Sequence, residues 1–182
     1  YLHHQENELI KLATENNRQA QQQIYTHFSP KMLGVCRQYI KDIHQAEDIM
    51  ITAFMKVFVN IKNFENKGSF EGWIRRIMVN ECISFIRVQK KIKYVEDETY
   101  FEESFNNIES QFSTDDIQSL IDSLPDGYKT VFNLYAIEGF KHKEIASMLE
   151  INEGTSKSQL SHARKMLQTQ INKLKNYEYG TE

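Results

Sequence analysis

Apolar residues recur at spacings of three and four along most of the chain, the period of a helix with one buried face. Residues 7–15 (NELIKLATE) predict a short amphipathic helix. A longer helical stretch runs from about Asn17 to Tyr39. A break or kink is expected at Ser29-Pro30, where serine can cap and proline can open a first turn. Asp42 caps the next predicted helix, about 43–61, whose Ile49, Ala53, Phe54, Val57, Phe58 and Ile61 share a face. The stretch NFENKGS reads as a loop, and Ser69 as the cap of a helix from Phe70 to about Lys91.

The period then lapses. Residues 92–112 alternate in no helical register and carry many acids. It resumes at TDDIQSLIDSL, which Thr114 is expected to cap, and stops at Pro125. Asp126 opens a further helix that ends at Gly139, and two more follow over 141–149 and 153–175. The predicted fold class is all-α. Helical domains over 1–93 and 113–177 are joined by an acidic linker over 94–112.

Composition sharpens this reading. Two prolines and seven glycines in 182 residues suit helices, which use neither in their interiors. The formal net charge of −3 speaks against nucleic acid until it is divided along the chain. Residues 1–93 hold 14 Lys/Arg against 9 Asp/Glu, residues 94–128 none against 10, and residues 129–182 8 against 6. Two mildly basic blocks flank an acidic connector, and segment charge is what a partner meets. Cys36 and Cys82 lie in no CxxC or Cys/His cluster, which implies a reduced, cytoplasmic chain without a metal or other cofactor. No apolar run approaches the roughly 18–20 residues of a membrane span, so no membrane insertion is expected. The opening YLHHQEN has no signal-peptide character and lacks a methionine, so His3 and His4 read as tail and not as ligands.

The segment FKHKEIASMLEINEGTSKSQLSHARKML has helix-turn-helix form. Small Ala146 allows close helix packing, Ile151 plugs the turn, and Asn152 caps the second helix. Leu160, Ala163, Leu167, Ile171 and Leu174 share one face of that helix. Thr155, Ser158, Gln159, His162 and Lys165 read as the opposite, outward face, suited to base edges in a major groove. Lys157 and Arg164 flank it, where phosphates would lie. An amphipathic hairpin with a solvated polar face would show some of these features, though not the cap, plug and small residue together.

Helix 70–91 is also two-sided. Phe70, Ile74, Ile77, Met78, Cys82 and Phe85 form the expected core stripe. Trp73, Arg76, Asn80, Ser84 and Arg87 fall within an arc of about 80° at 100° per residue, with Arg75, Lys90, Lys91 and Lys93 nearby. An aromatic plane, an amide and cations suit a melted DNA strand, on which bases stack and phosphates are neutralised. The alternative places Trp73 in the core and leaves the arginines solvated. The preceding Asn66-Lys67-Gly68-Ser69 could hold an extruded base.

Taken in order, QAEDIMITAFMKVFVNIKNF, GSFEGWIRRIMVNECISFIR, the acidic linker and LPDGYKTVFNLYAIEGFKHKEIASMLEINEGTSKSQLSHARKML resemble the extracytoplasmic-function (ECF) sigma factors. These are the two-domain members of the bacterial sigma-70 family, and the resemblance spans about residues 8–175. It implies promoter recognition and opening in company with core RNA polymerase. Ala46, Glu47 and Asp48, with Ile51, Thr52 and Met55, would dock on the clamp helices of the β′ subunit. The helix bearing Trp73, Arg76, Asn80, Ser84, Arg87 and Lys90, with Lys67 and Ser69 before it, would open and read the −10 element. Thr155, Ser156, Lys157, Ser158, Gln159, His162, Arg164 and Lys165 would read the −35 element. The β flap and an anti-sigma factor are further implied partners, and the linker would thread polymerase channels, where ten acids over 94–128 suit basic walls. The chain departs from the family pattern where Ile51-Thr52 replace Gln-Glu, where Ser84 replaces an aspartate, and where Ser156, Gln159 and His162 replace valine, arginine and arginine. These departures imply a less basic −35 reader and a weaker or altered promoter preference.

Two other functions compete. An autonomous helix-turn-helix regulator would bind duplex DNA without polymerase, but would need neither the tryptophan helix nor the acidic connector. An enzyme would need a phosphate loop, metal-ligand spacing or a nucleophile with its base, and none is legible. Glu102 and Glu103 are adjacent and read as linker acids.

Overall fold

The computed structural model describes residues 2–89 and 113–179. The linker over 94–112, and with it Lys90, Lys91, Lys93, Glu102 and Glu103, lies outside the described residues. The chain divides into two compact units, Tyr1–Val88 and Gln89–Glu182. All regular structure among the described residues is helical.

The first unit holds α1 (Leu2–Thr14), α2 (Arg18–Tyr39), α3 (Ile43–Asn60) with a 3₁₀ turn at Ile61–Asn63, and α4 (Phe70–Gln89). Local chemistry sets each start. Asn17 Oδ1 accepts the Ala20 N–H at 3.0 Å, Asp42 Oδ1 the Gln45 N–H at 2.8 Å, and Ser69 Oγ the Gly72 N–H at 3.0 Å. Each bond satisfies an amide that the first helical turn leaves without a partner.

The break expected at Ser29-Pro30 is absent. Helix α2 runs unbroken through Pro30. Its buried stripe, Ala20, Ile24, Phe28, Met32, Val35, Cys36 and Tyr39, continues on both sides of the proline. Pro30 itself is exposed, as is Thr26, whose carbonyl loses its helical donor. Water can serve that carbonyl, so core packing outweighs a proline cost of about 3 kcal/mol.

Helix α4 buries more of itself than one stripe. Phe70, Ile74, Met78, Val79, Cys82, Ile83 and Ile86 are buried, whereas the expected core members Ile77 and Phe85 are only half-buried. Phe28 of α2 meets Phe70 edge-on at 5.8 Å. Lys31 of α2 pairs with Glu71 at 2.5 Å, and Lys56 of α3 with Glu81 at 2.6 Å. Packing from both neighbours widens the buried arc and leaves a narrow polar one.

The second unit holds α5 (Thr114–Asp122), α6 (Asp126–Phe132) with a π-helical turn at Asn133–Ile137, α7 (His142–Leu149) and α8 (Glu153–Tyr179). The cap of α5 is Ser113, one residue before the expected Thr114. Ser113 Oγ accepts the Asp116 N–H at 3.2 Å, and the Asp116 carboxylate accepts the Ser113 N–H at 3.1 Å. The Ser113 hydroxyl, which donates to the Asp116 carboxylate at 2.6 Å, and then the Ser113 N–H hold the Asp116 carboxyl below its ordinary pKa. The π turn leaves its Glu138 N–H bonded to Asn133 C=O, five residues back, and Gly139 turns the chain at a φ of 76°. Helices α6 and α7 both pack on α8.

Candidate nucleic-acid interface

Each unit carries its own candidate surface. In the first unit the surface begins at the loop before α4. Asn66 and Gly68 adopt positive φ angles of 54° and 111°, a region that asparagine tolerates and glycine enters freely. Between and after them Lys67 and Ser69 are exposed, and Lys67 Nζ reaches Glu65 at 2.6 Å. Ser69 also caps α4, so it fixes the loop to the helix.

Along α4, Gly72, Arg76, Asn80 and Arg87 are exposed and fall on the same side of the helix, while Ser84 is half-buried beside them. Trp73 edges this arc. It is half-buried, stacked on Phe70 at 5.8 Å with 17° between planes, and tilted against Phe64 at 5.6 Å. Phe64 in turn contacts Phe70 at 5.2 Å. Trp73 is therefore both a member of an aromatic cluster and part of the polar surface. The two readings left open by the sequence are not exclusive.

Helix α3 presents a different surface. Ala46 is buried, Glu47 half-buried, and Asp48 and Thr52 exposed. Ile51, Met55 and Val59 are 48%, 66% and 72% exposed. Their spacing of four makes one apolar strip along the helix. Val59 was not singled out from the sequence, although the spacing alone could have found it.

In the second unit, α7 ends at Glu150, which takes a left-handed φ of 56°, and Ile151 follows half-buried with its N–H on the Ala146 carbonyl. Asn152 Oδ1 accepts both the Thr155 N–H at 2.6 Å and the Thr155 hydroxyl at 2.9 Å. The small residue, turn plug and cap stand as expected of a helix-turn-helix.

Part of the expected outward face of α8 is turned inward. Ser156, Ser158 and Gln159 are buried. Ser156 and Gln159 fall beside Leu160 and Ala163 in helical register, on the core side. The Ser156 hydroxyl meets His142 Nδ1 of α7 at 2.9 Å, and the Ser158 hydroxyl donates to the Thr155 carbonyl at 3.0 Å. Lys165 is exposed, and Thr155, Lys157, His162 and Arg164 are half-buried. His162 stacks on Tyr128 at 5.5 Å, and the Arg164 guanidinium lies 5.5 Å from the Tyr135 ring centre. Lys157 Nζ pairs with Glu153 at 2.9 Å, which holds the Glu153 carboxyl below its ordinary pKa.

Among the described residues, no group of three His, Cys, Asp or Glu side chains could hold a metal ion. No described helix is long and apolar enough to cross a membrane.

Residues 24–92 match the family described as Sigma-70 region 2, and residues 114–167 the family described as Sigma-70, region 4. The chain is 30% identical to the ECF RNA polymerase sigma factor SigW of Bacillus subtilis over 180 residues, covering 91% of this chain and 96% of that protein. It is 32% identical to the RNA polymerase sigma factor SigV of the same organism over 135 residues, covering 74% and 81%. A solved structure of the sigma factor RpoE with the anti-sigma factor NepR from Bartonella quintana matches at 22% identity and a TM-score of 0.48, covering 83% of this chain and 96% of that one. This chain belongs to the sigma-70 family, as an ECF RNA polymerase sigma factor with a region 2 and a region 4.

Proposed function

We propose that the chain directs core RNA polymerase to its promoters by assigning one task to each surface. The observation that carries this is the division of α4, which seats a wide apolar arc in the core and exposes Arg76, Asn80 and Arg87 beside a half-buried tryptophan. That arrangement suits a melted strand. Phosphates meet the arginines, a base stacks on the free side of Trp73, and Asn80 offers both a donor and an acceptor to a base edge. Lys67 and Ser69 extend the same surface to a base beyond the helix. Ser84 and Lys90 complete the −10 assignment, Ser84 at the margin of the arc.

The apolar strip Ile51–Met55–Val59, with Asp48 and Thr52 beside it and Glu47 half-buried, is the docking surface for the β′ clamp helices. A strip of that kind on one helix suits a groove or facing helix. Region 4 reads duplex DNA through Thr155, Lys157, His162, Arg164 and Lys165, and meets the β flap. Each domain alone offers little contact. Tethering both to polymerase raises their effective concentration on one promoter. The chain has no catalytic step of its own, acts in the cytoplasm where polymerase works, and is held in check by an anti-sigma factor that covers these same faces.

The test is reconstitution with purified core polymerase on genomic fragments, with transcript starts mapped by run-off. Defined starts that depend on the chain are the expected result. Core that initiates no differently with and without the chain would refute the proposal. Tight duplex binding without polymerase would favour the autonomous regulator.

A further inference from the structure

We propose that His142 is a proton-coupled phosphate contact of the helix-turn-helix, taking up a proton as duplex DNA docks and making docking tighter as pH falls. The inference rests on region 4 being a duplex reader and adds a protonation step to that reading. His142 is the first residue of α7 and is half-buried. Its Nδ1 lies 2.9 Å from the Ser156 hydroxyl of α8. Its ring stacks on Tyr135 of the π-helical turn at 4.7 Å, with 23° between planes. The Arg164 guanidinium of α8 lies over the same tyrosine. Three elements are thus clamped about one imidazole, and among the described residues no hydrogen bond is made at Nε2.

The charges facing this ring are mixed but mainly positive. Lys157, Glu153 and Arg164 of α8 all act on it. Glu153 is already paired with Lys157. Lys141 and Lys143 flank it in sequence. Burial and the Lys157 ammonium hold the imidazole below the ordinary histidine pKa, with Glu153 opposing and Arg164 adding to the depression. The free chain therefore keeps the ring neutral at neutral pH.

A phosphate oxygen brought to Nε2 reverses the balance. Its charge offsets Lys157 and Arg164, and it accepts a hydrogen bond from Nε2–H, so the imidazolium is favoured. Ser156 serves both forms. Its hydroxyl donates to Nδ1 of the neutral ring and accepts from Nδ1–H of the charged one. Protonation then needs only a hydroxyl rotation at that contact.

The sign of the pH effect follows. The free pKa lies below the ordinary value and the bound pKa lies above the free one, so binding takes up a proton between them. Affinity is greatest below the free pKa, falls as pH rises through the window, and is flat above the bound pKa. One proton limits the slope to about tenfold per pH unit.

The test uses holoenzyme, reconstituted with core polymerase, and the genomic fragment that yields a run-off transcript. Its affinity is measured by anisotropy at constant ionic strength from about pH 5.5 to 8, the range of histidine titration. His142→Gln keeps hydrogen-bonding capacity without titrating, and His142→Lys carries a fixed charge. The wild-type chain should gain severalfold in affinity on acidification relative to His142→Gln, moving towards the behaviour of His142→Lys. The same pH dependence in wild type and His142→Gln would overturn the proposal while leaving the duplex reading intact. Absence of duplex binding by all three chains at every pH would overturn both.

Discussion

Replacing Trp73 by alanine is the most direct test of the α4 surface. Trp73 packs inward on its neighbours and, in the proposed function, stacks a base outward, so the substitution tests both roles. On its inner side it stacks on Phe70 and leans on Phe64. Each aromatic pair is worth about 0.5–1.5 kcal/mol beyond area burial, so region 2 should lose roughly 1–3 kcal/mol of stability. On its outer side a stacked base is worth about 1–3 kcal/mol, which is roughly a 5- to 150-fold loss in open-complex formation. The two losses separate by assay. Run-off transcription from a duplex promoter carries the opening step, whereas a promoter with a pre-melted mismatch bubble bypasses it. Trp73→Ala should therefore be strongly defective on duplex and substantially rescued on the bubble. Trp73→Phe keeps an aromatic plane and should fall between the two. Equal defects on both templates, with core binding also reduced, would mean that Trp73 acts only as packing. Normal duplex run-off from Trp73→Ala would refute the stacking argument outright.

Other substitutions probe the remaining surfaces. Met55→Glu places a charge on the exposed strip, and should weaken core polymerase binding about tenfold or more without altering the helical circular dichroism of the chain. Unchanged core affinity would remove α3 from that interface. Lys157→Ala should weaken duplex binding broadly and reduce the salt slope by about 0.9, even though Lys157 also pairs with Glu153; an unaltered slope would show that it neutralises no phosphate. Asn152→Ala removes the acceptor for Thr155 and should cost about 1 kcal/mol, lowering the melting of the C-terminal unit by a few degrees, about 4–8 °C per kcal/mol in a domain of this size. A cap that contributes nothing would leave that transition in place, and Asn152→Ser should restore most of any loss.

Local chemistry explains what could be read from the residues alone. Asp42, Ser69 and Asn152 act on amides three positions away, so their capping depends on little beyond sequence. Tertiary packing overrides the local signal elsewhere. Pro30 signals a break, but Phe28 and Met32 on either side are both held in the core, and the local rule yields. The stripe on α4 looked narrow because periodicity assumes one neighbour, whereas Lys31 from α2 and Lys56 from α3 both reach acids on it. Ser156 and Gln159 are polar, as residues that read base edges would be. In helical register they fall with Leu160 and Ala163, and composition cannot tell a polar core position from a polar surface one. The π turn at Asn133–Ile137 had no sequence signal, yet it sets Tyr135 against His142. The apolar strip of α3 was half legible, with Ile51 and Met55 named and Val59 missed.

Trp73 is the sole tryptophan of the chain, and its place in the aromatic cluster makes it a built-in spectroscopic reporter. A fluorotryptophan incorporated there gives a single fluorine resonance against polymerase subunits prepared without the label. Its inner side is fixed by Phe70, so its chemical shift should answer to whatever occupies the outer side. The moment at which a strand reaches α4 could then be timed without attaching a dye or changing the encoded sequence.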